Sequence, residues 1–148
     1  MHFGKNFVEK LNGIFAFAIW DDTNRELLLY RDRAVTKPLF YTQTGSSLVF
    51  GSEPKAVFCH PDVTPSIDQN SLQEILAVGP ARTSGNGVFT GVKDVMPGHY
   101  HIFCPDGQHD ILYWDLPCRE HKDSYAQTVQ TVSFLVRDTV ERQMVSDV

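Results

Sequence analysis

The chain has 148 residues, 42% of them hydrophobic and 21% charged, with a formal net charge of −5 at pH 7. These values are typical of a single globular domain. The acidic balance argues against general nucleic-acid or anionic-membrane binding, because those partners favour clustered Lys and Arg. No apolar run approaches the ~20 residues that span a bilayer, and the start of the chain lacks the apolar core of a signal peptide. Three widely spaced cysteines without a C-x-x-C pair favour reduced thiols in the cytoplasm over a disulfide framework or a zinc site.

The first half of the chain predicts two β-hairpins. The first strand, residues 13–20, is apolar on both faces, which is typical of a strand covered on both sides. Turn residues follow it at 21–25, and Thr44-Gly45-Ser46 marks a second turn. The predicted strands cover residues 13–20, 26–30, 38–42 and 47–51.

Helix signals follow the second hairpin. Pro54 can begin a short helix over 55–59, because a first-turn position needs no amide donor, and Pro61 stops it. Asp68 is a predicted N-cap for a helix over 70–78, which Gly79-Pro80 ends.

The last third of the chain predicts one more hairpin and one long helix. Strands over 98–103 and 110–114 flank a turn at Asp106-Gly107. From Ser124 towards Met144, apolar residues recur at helical spacing and predict an amphipathic helix. Several antiparallel hairpins with a few helices indicate an α+β fold. The helix stripe consists of Val129, Val132, Leu135, Val136 and Val140.

Five segments, in this order, resemble the class II glutamine amidotransferase domain of glutamine-dependent asparagine synthetases. The block of Gly79 to Thr83 with the downstream Gly87-Val88-Phe89 resembles the asparagine synthetase branch more than the other class II amidotransferases. The last four residues resemble the run just before the synthetase domain's nucleotide-binding loop. The segments are 11–21 (LNGIFAFAIWD), 31–41 (RDRAVTKPLFY), 50–56 (FGSEPKA), 79–89 (GPART to GVF) followed by 96–100 (MPGHY), and 113–116 (YWDL).

The resemblance implies a four-layer αββα sandwich of the N-terminal-nucleophile hydrolase type, with antiparallel sheets. In that family an N-terminal cysteine hydrolyses glutamine, and the ammonia reaches a second domain that joins it to aspartate with ATP and Mg. Residues 1–122 are then expected to be the C-terminal portion of the amidotransferase domain. Residues 123–148 are expected to be a linker helix leading to the synthetase domain. Glutamine, aspartate and ATP are the partners of the full-length family.

The family's catalytic residues have no counterpart here. The chain begins Met1-His2-Phe3, without a cysteine nucleophile, and the family's glutamine-binding and oxyanion segments lie upstream of the matched region. We therefore assign no catalytic, cofactor-binding or metal-binding residue, and we expect a truncated, inactive fragment of a cytoplasmic asparagine synthase. The alternative is a non-catalytic interaction or remnant module that kept the fold.

Two polar clusters invite a functional interpretation. Arg31, Asp32, Arg33 and Lys37 could form a phosphate or carboxylate site, but a structural loop is favoured, in which Asp32 accepts from backbone amides and Arg31 pairs locally. His99 and His101 share one strand face and could bind a metal, but without a third ligand nearby surface residues are favoured.

Two shorter motifs also contain residue types that can take part in catalysis or phosphate binding. Cys59 and His60 suggest a nucleophile and a base, but sequence neighbours rarely reach that geometry, so inert packing is favoured. The loop 85–87 lacks the strand–loop–helix frame of a phosphate cradle and is predicted to be a turn.

Two residues depart from the family pattern. Val35 stands where the family usually has Gly, and a valine would be strained there at positive φ. Pro54 replaces an aliphatic residue, which is tolerable in the first turn of a helix.

A domain that lacks its first strands is expected to leave part of its sheet edge and apolar surface exposed to solvent. It would leave an unpaired sheet edge and expose Phe15, Phe17 and Ile19, so we expect self-association or aggregation. The valine stripe of the C-terminal helix would likewise lack its natural partner. We therefore expect the helix to project from the domain or to pack loosely, with few contacts to the strands at 13–51.

Overall fold

A computed structural model describes residues 4–34, 36–79 and 83–144. By its contacts the chain divides into two compact units, Met1–Asp115 and Leu116–Val148. The first unit contains all the strands in the described residues, and the second contains one long helix. The predicted domain boundary near residue 122 stays a prediction.

The described residues of the first unit form two antiparallel sheets. One has four strands in the order β1-β2-β6-β7, and the other has three in the order β4-β3-β5. This confirms the predicted α+β class with antiparallel pairing. The strands are β1 (Ala16–Asp21), β2 (Glu26–Arg31), β3 (Phe40–Thr44), β4 (Ser47–Gly51), β5 (Lys93–Asp94), β6 (His99–Cys104) and β7 (Gly107–Leu112).

The hairpin turns follow from the local sequence. Gly45 adopts φ 55°, a value that favours glycine, and it connects β3 to β4 within a two-residue turn, as predicted. The last hairpin turns one step earlier than predicted, at Pro105-Asp106, because Gly107 already pairs with Cys104.

The helices of the first unit are short. A 3-10 helix spans Lys5–Lys10, helix α1 spans Pro54–Val57 and helix α2 spans Gln69–Val78. Pro54 lies in the first turn of α1, and the Asp68 side chain accepts from the Ser71 amide at 2.8 Å, so both predicted helix starts are confirmed. The 3-10 helix and the two-residue strand β5 were not predicted, since neither is long enough to show a periodic pattern.

Strand β2 lies at the centre of the core. Leu28 and Tyr30 pack on one face with Val8 of the 3-10 helix, while Leu29 on the other face packs with Tyr41 of β3. The second cluster therefore lies between the two sheets. A third cluster, around Phe40, Val57 and Val92, lies where α1 meets the three-stranded sheet.

Two expectations about β1 are wrong. Ala18 and Trp20 are exposed, so the strand is not covered on both faces, because on this face it is Ala16 that packs against the cluster between the two sheets. Phe15, Phe17 and Ile19 on the other face are partly buried, because the 3-10 helix brings apolar residues against them. Coverage thus differs between the two faces of this strand.

The second unit consists mainly of helix α3, Tyr125–Gln143. Its start is fixed by a capping box, in which Ser124 Oγ accepts from the Gln127 amide and the Gln127 side chain accepts from the Ser124 amide. The predicted helix is confirmed, and Val132, Val136 and Val140 line one face of it. No helix within the described residues is long and apolar enough to cross a membrane.

Candidate functional site

Asp32 lies at the end of β2, and its carboxylate is surrounded by main-chain amides. Its side chain is almost fully buried. Oδ2 accepts from Phe15 at 3.2 Å and Lys37 at 3.1 Å, and Oδ1 accepts from Ala34 at 3.1 Å and Thr36 at 3.2 Å. This confirms the predicted structural role. A carboxylate with four amide donors fixes the path of the loop and is poorly placed to act as a base.

Arg31 joins the two sheets at the same place. Nη1 donates to Asp94 Oδ1 of β5 at 2.7 Å and to the Val95 carbonyl, and Nε donates to the Lys37 carbonyl at 3.0 Å. Both charged side chains are nearly inaccessible to water. The expectation that Arg31 pairs locally is wrong for its carboxylate partner, because Asp94 is 63 residues away and reaches Arg31 only when the sheets assemble.

Other segments that carry the family resemblance converge on this cluster. The Gly98 amide donates to the Asp32 carbonyl at 2.9 Å, and the Tyr113 hydroxyl donates to the Arg31 carbonyl at 2.6 Å. Gly98 has φ 69°, and a Cβ built there would lie 2.2 Å from the Trp114 carbonyl oxygen. Glycine is therefore required by both conformation and space. We call Arg31, Asp32, Asp94, Gly98 and Tyr113 the sheet joint.

The polar groups of the sheet joint contact other groups of the protein, which indicates a structural role. The carboxylate of Asp32 is occupied by amide donors, and Arg31 contacts a carboxylate and carbonyls. Arg33 donates to the Glu9 carbonyl at 2.8 Å and lies 5.9 Å from the centre of the Trp114 ring. These contacts favour the structural interpretation of the Arg-Asp block over a phosphate site. The sequence analysis did not predict the roles of Asp94 and Tyr113. The only signal for them was that they lie in or beside segments that resemble the family.

The two strand histidines lie beside one acidic residue. His99 Nδ1 lies 2.7 Å from Asp110 Oδ1, and His101 Nε2 lies 3.1 Å from the same oxygen without hydrogen-bond alignment. Gln108 Nε2 lies 3.1 Å from His101 Nδ1 and donates to the Tyr41 hydroxyl at 2.9 Å. The shared face is confirmed, but His101 is buried between the sheets, so the expectation of two surface residues is wrong for it.

Burial shifts the pKa of two side chains in this polar network, His101 and Tyr41. Desolvation lowers the pKa of His101, and the neighbouring Asp110 only partly opposes it. Desolvation likewise raises the pKa of Tyr41. No group of three or more His, Cys, Asp or Glu side chains in the described part of the chain could hold a metal ion.

The remaining motifs have separate hydrogen-bond partners. Cys59 Sγ donates to the Lys55 carbonyl at 3.4 Å, and His60 Nδ1 accepts from the Asp62 amide at 3.3 Å, so both groups have partners other than each other. The turn predicted at 85–87 lies at Ser84-Gly85, because Asn86 already forms a β-bridge with Lys93, and the Gly87 amide donates to the Val92 carbonyl at 3.2 Å. Val35 and residues 80–82, which belong to two of the family segments, lie outside the described residues.

An open crevice of about 660 Å³ lies where three hairpin turns meet at one end of the sheets. Its walls combine apolar groups with a few polar ones, and Cys104 Sγ there donates to the Gly107 carbonyl at 3.3 Å. No base lies beside this thiol among the residues that line the crevice. The walls include Trp20, Leu27, Leu48, Phe103 and Gln108.

Comparison with known proteins agrees with this architecture. The chain is 48% identical over 95% of its length to glutamine-hydrolysing asparagine synthetase 3 of Bacillus subtilis. It is 29% identical over 98% of its length to glutamine-hydrolysing asparagine synthetase 2 of the same organism, and 33% identical over 95% of its length to amidase chry2 of Gibberella zeae. The chain spans only 23%, 21% and 20% of these relatives, respectively.

The predicted resemblance is confirmed at the level of the family. The family model for the glutamine amidotransferase domain matches residues 1–114 of the sequence, which include the sheet joint and every strand described above. The unit that contains the long helix α3 lies beyond this match. Residues 1–114 thus place the chain in the glutamine amidotransferase domain family.

Proposed function

We propose that this chain is the later part of the amidotransferase domain of an asparagine synthetase, and that its role there is structural. The parent enzyme would make asparagine from aspartate, ATP and glutamine-derived ammonia, with ATP and Mg bound outside this chain. The observation that carries the proposal is the 48% identity with asparagine synthetase 3 over 95% of the chain. In this proposal the two sheets are the inner layers of an αββα sandwich of the N-terminal-nucleophile type.

The proposed contribution of the chain is the frame that the sheet joint holds together. Arg31 connects a strand of the four-stranded sheet to Asp94 of the three-stranded sheet, and Asp32 fixes the loop between them. Catalytic groups supported by such a frame keep their relative positions, on which rate depends steeply. The chain would serve the reaction by positioning groups outside itself, in a cytoplasmic enzyme.

We expect no glutamine hydrolysis by the isolated chain. The thiols of Cys59 and Cys104 each donate to a main-chain carbonyl instead of a side-chain base, and a thiol that no base activates is a weak nucleophile. Ammonia release from glutamine by the purified chain, above a heat-treated control, would contradict this. The chain is also expected to self-associate through a sheet edge.

A chimeric enzyme tests whether this chain is a structural part of an asparagine synthetase or a non-catalytic remnant module. The region of asparagine synthetase 3 that matches this chain is replaced by the chain itself, and asparagine formation is measured with glutamine and, separately, with ammonia. We expect both activities to persist, and we expect Asp32→Ala to lower the glutamine-dependent one. A chimera that keeps the ammonia-dependent activity but loses the glutamine-dependent one would favour the non-catalytic module.

A further inference from the structure

Within the residues that the structure describes, strand β1 has a neighbouring strand on one side and an open edge on the other. It is an outer strand of the four-stranded sheet. At its start the Asp32 amide donates to the Phe15 carbonyl at 2.9 Å, so this pair is hydrogen-bonded. Bonded and non-bonded pairs alternate along an antiparallel ladder, so every second residue after Phe15 bonds to β2. The residues between them direct their main-chain N–H and C=O groups towards the edge, and these are Ala16, Ala18 and Trp20.

The usual protections of a sheet edge are missing from the five residues that precede Asp21, the last residue of this strand. Outer strands are normally shielded by charged side chains, proline or bulges. Residues 16–20 contain no charge and no proline, and Trp20 is 55% exposed. The other outer strand of the sheet, β7, carries His109 and Asp110 instead. Of the two edges, β1 is therefore the one suited to pair with another strand.

We propose that β1 pairs with β1 of a second copy of this chain, antiparallel, about a two-fold axis through Ala18. In this register Ala18 lies opposite Ala18 of the second copy, and Ala16 lies opposite the second copy's Trp20. All of these residues have main-chain groups that point outwards, and each opposed pair exchanges two hydrogen bonds. The two sheets then form one continuous sheet.

The side chains of β1 favour a second copy of this chain as the partner that pairs with its edge. The small Ala16 leaves room for the indole opposite it, and the same contact repeats on the other side of the axis, as a two-fold interface requires. Asp21 falls opposite Phe15 instead of another acid, so the register opposes no like charges. A strand that is complementary to itself needs no different partner. The proposal does not depend on the enzymatic role proposed above.

Sedimentation velocity over a concentration series tests the association. We expect the intact chain to form a dimer and Ala18→Pro to weaken it about tenfold or more, because proline removes an outward amide without breaking the ladder to β2. Ala18→Ser keeps that amide and should dimerise like the parent. A monomeric parent chain, or a folded Ala18→Pro variant that dimerises like the Ala18→Ser control, would overturn the proposal.

Oxidative cross-linking tests the register and remains informative if Ala18→Pro fails to fold. In a background with Cys59, Cys104 and Cys118 replaced by serine, Ala18→Cys places two thiols on the axis. The Cα atoms of a hydrogen-bonded pair are about 5.5 Å apart, within the range of a disulfide. Ala16→Cys faces an indole instead and should cross-link poorly. Equal cross-linking at both positions, or none at position 18, would refute the register.

Discussion

Substituting Asp32 by alanine should destabilise the first unit severely. The carboxylate accepts from four main-chain amides and is almost fully buried. A hydrogen bond to a charged group contributes about 1.5–3 kcal/mol, and such contributions are not additive. Three of the donors belong to exposed residues, so water can partly replace the lost acceptor. We therefore expect a loss of about 3–5 kcal/mol, a large share of the ~5–15 kcal/mol that stabilises a typical domain.

Urea and thermal unfolding, followed by far-UV circular dichroism, measure this loss. We expect Asp32→Ala to lower Tm by about 10 °C or more. Asp62→Ala is the matched control, since Asp62 is exposed, and it should change stability by less than about 0.5 kcal/mol. Loss of less than ~1 kcal/mol in Asp32→Ala, similar to the control, would show that the loop does not depend on this carboxylate.

Three further predictions follow from the same structure. Gly98→Ala should cost about 3 kcal/mol or more and lower Tm, because its Cβ would overlap the Trp114 carbonyl at a left-handed φ. Burial lowers the pKa of His101 in the folded chain, so the unfolded chain binds the proton more readily. Its contribution to stability should be complete above pH ~6.5 and decrease as the pH falls below that value, which His101→Gln should suppress in a pH series of unfolding. In hydrogen exchange, the amide of Val132 should exchange much faster than that of Tyr30, because the side chains of α3 are not buried.

Each of these has its own control. Gly107→Ala tests positive φ alone, since a Cβ there meets nothing within 4 Å, and it should cost less than Gly98→Ala. His109→Gln replaces an exposed histidine on β7 and serves as the matched control for the loss of an imidazole. A pH dependence that survives in His101→Gln would assign it to other groups. Equal exchange protection in α3 and β2 would contradict the loose packing expected for the helix.

Short-range signals in the sequence determined much of the local structure. Asp68 and Ser124 each accept an amide three residues ahead, and Gly45 permits the conformation that its turn needs. Such interactions form within one turn of chain, so a few neighbouring residue types are enough to predict them. The family resemblance likewise depended on short runs of residues, and the family match confirmed it.

Only the tertiary structure decided which of these elements meet. The pairing of β2 with β6 and the bond from Arg31 to Asp94 join residues that are far apart in the sequence. Ala18 and Trp20 are exposed, although residues 13–20 are apolar on both faces in the sequence. A periodic pattern reports which faces are apolar, but not which neighbour covers each face. That depends on how the sheets assemble, because the same apolar strand suits a central position or an edge.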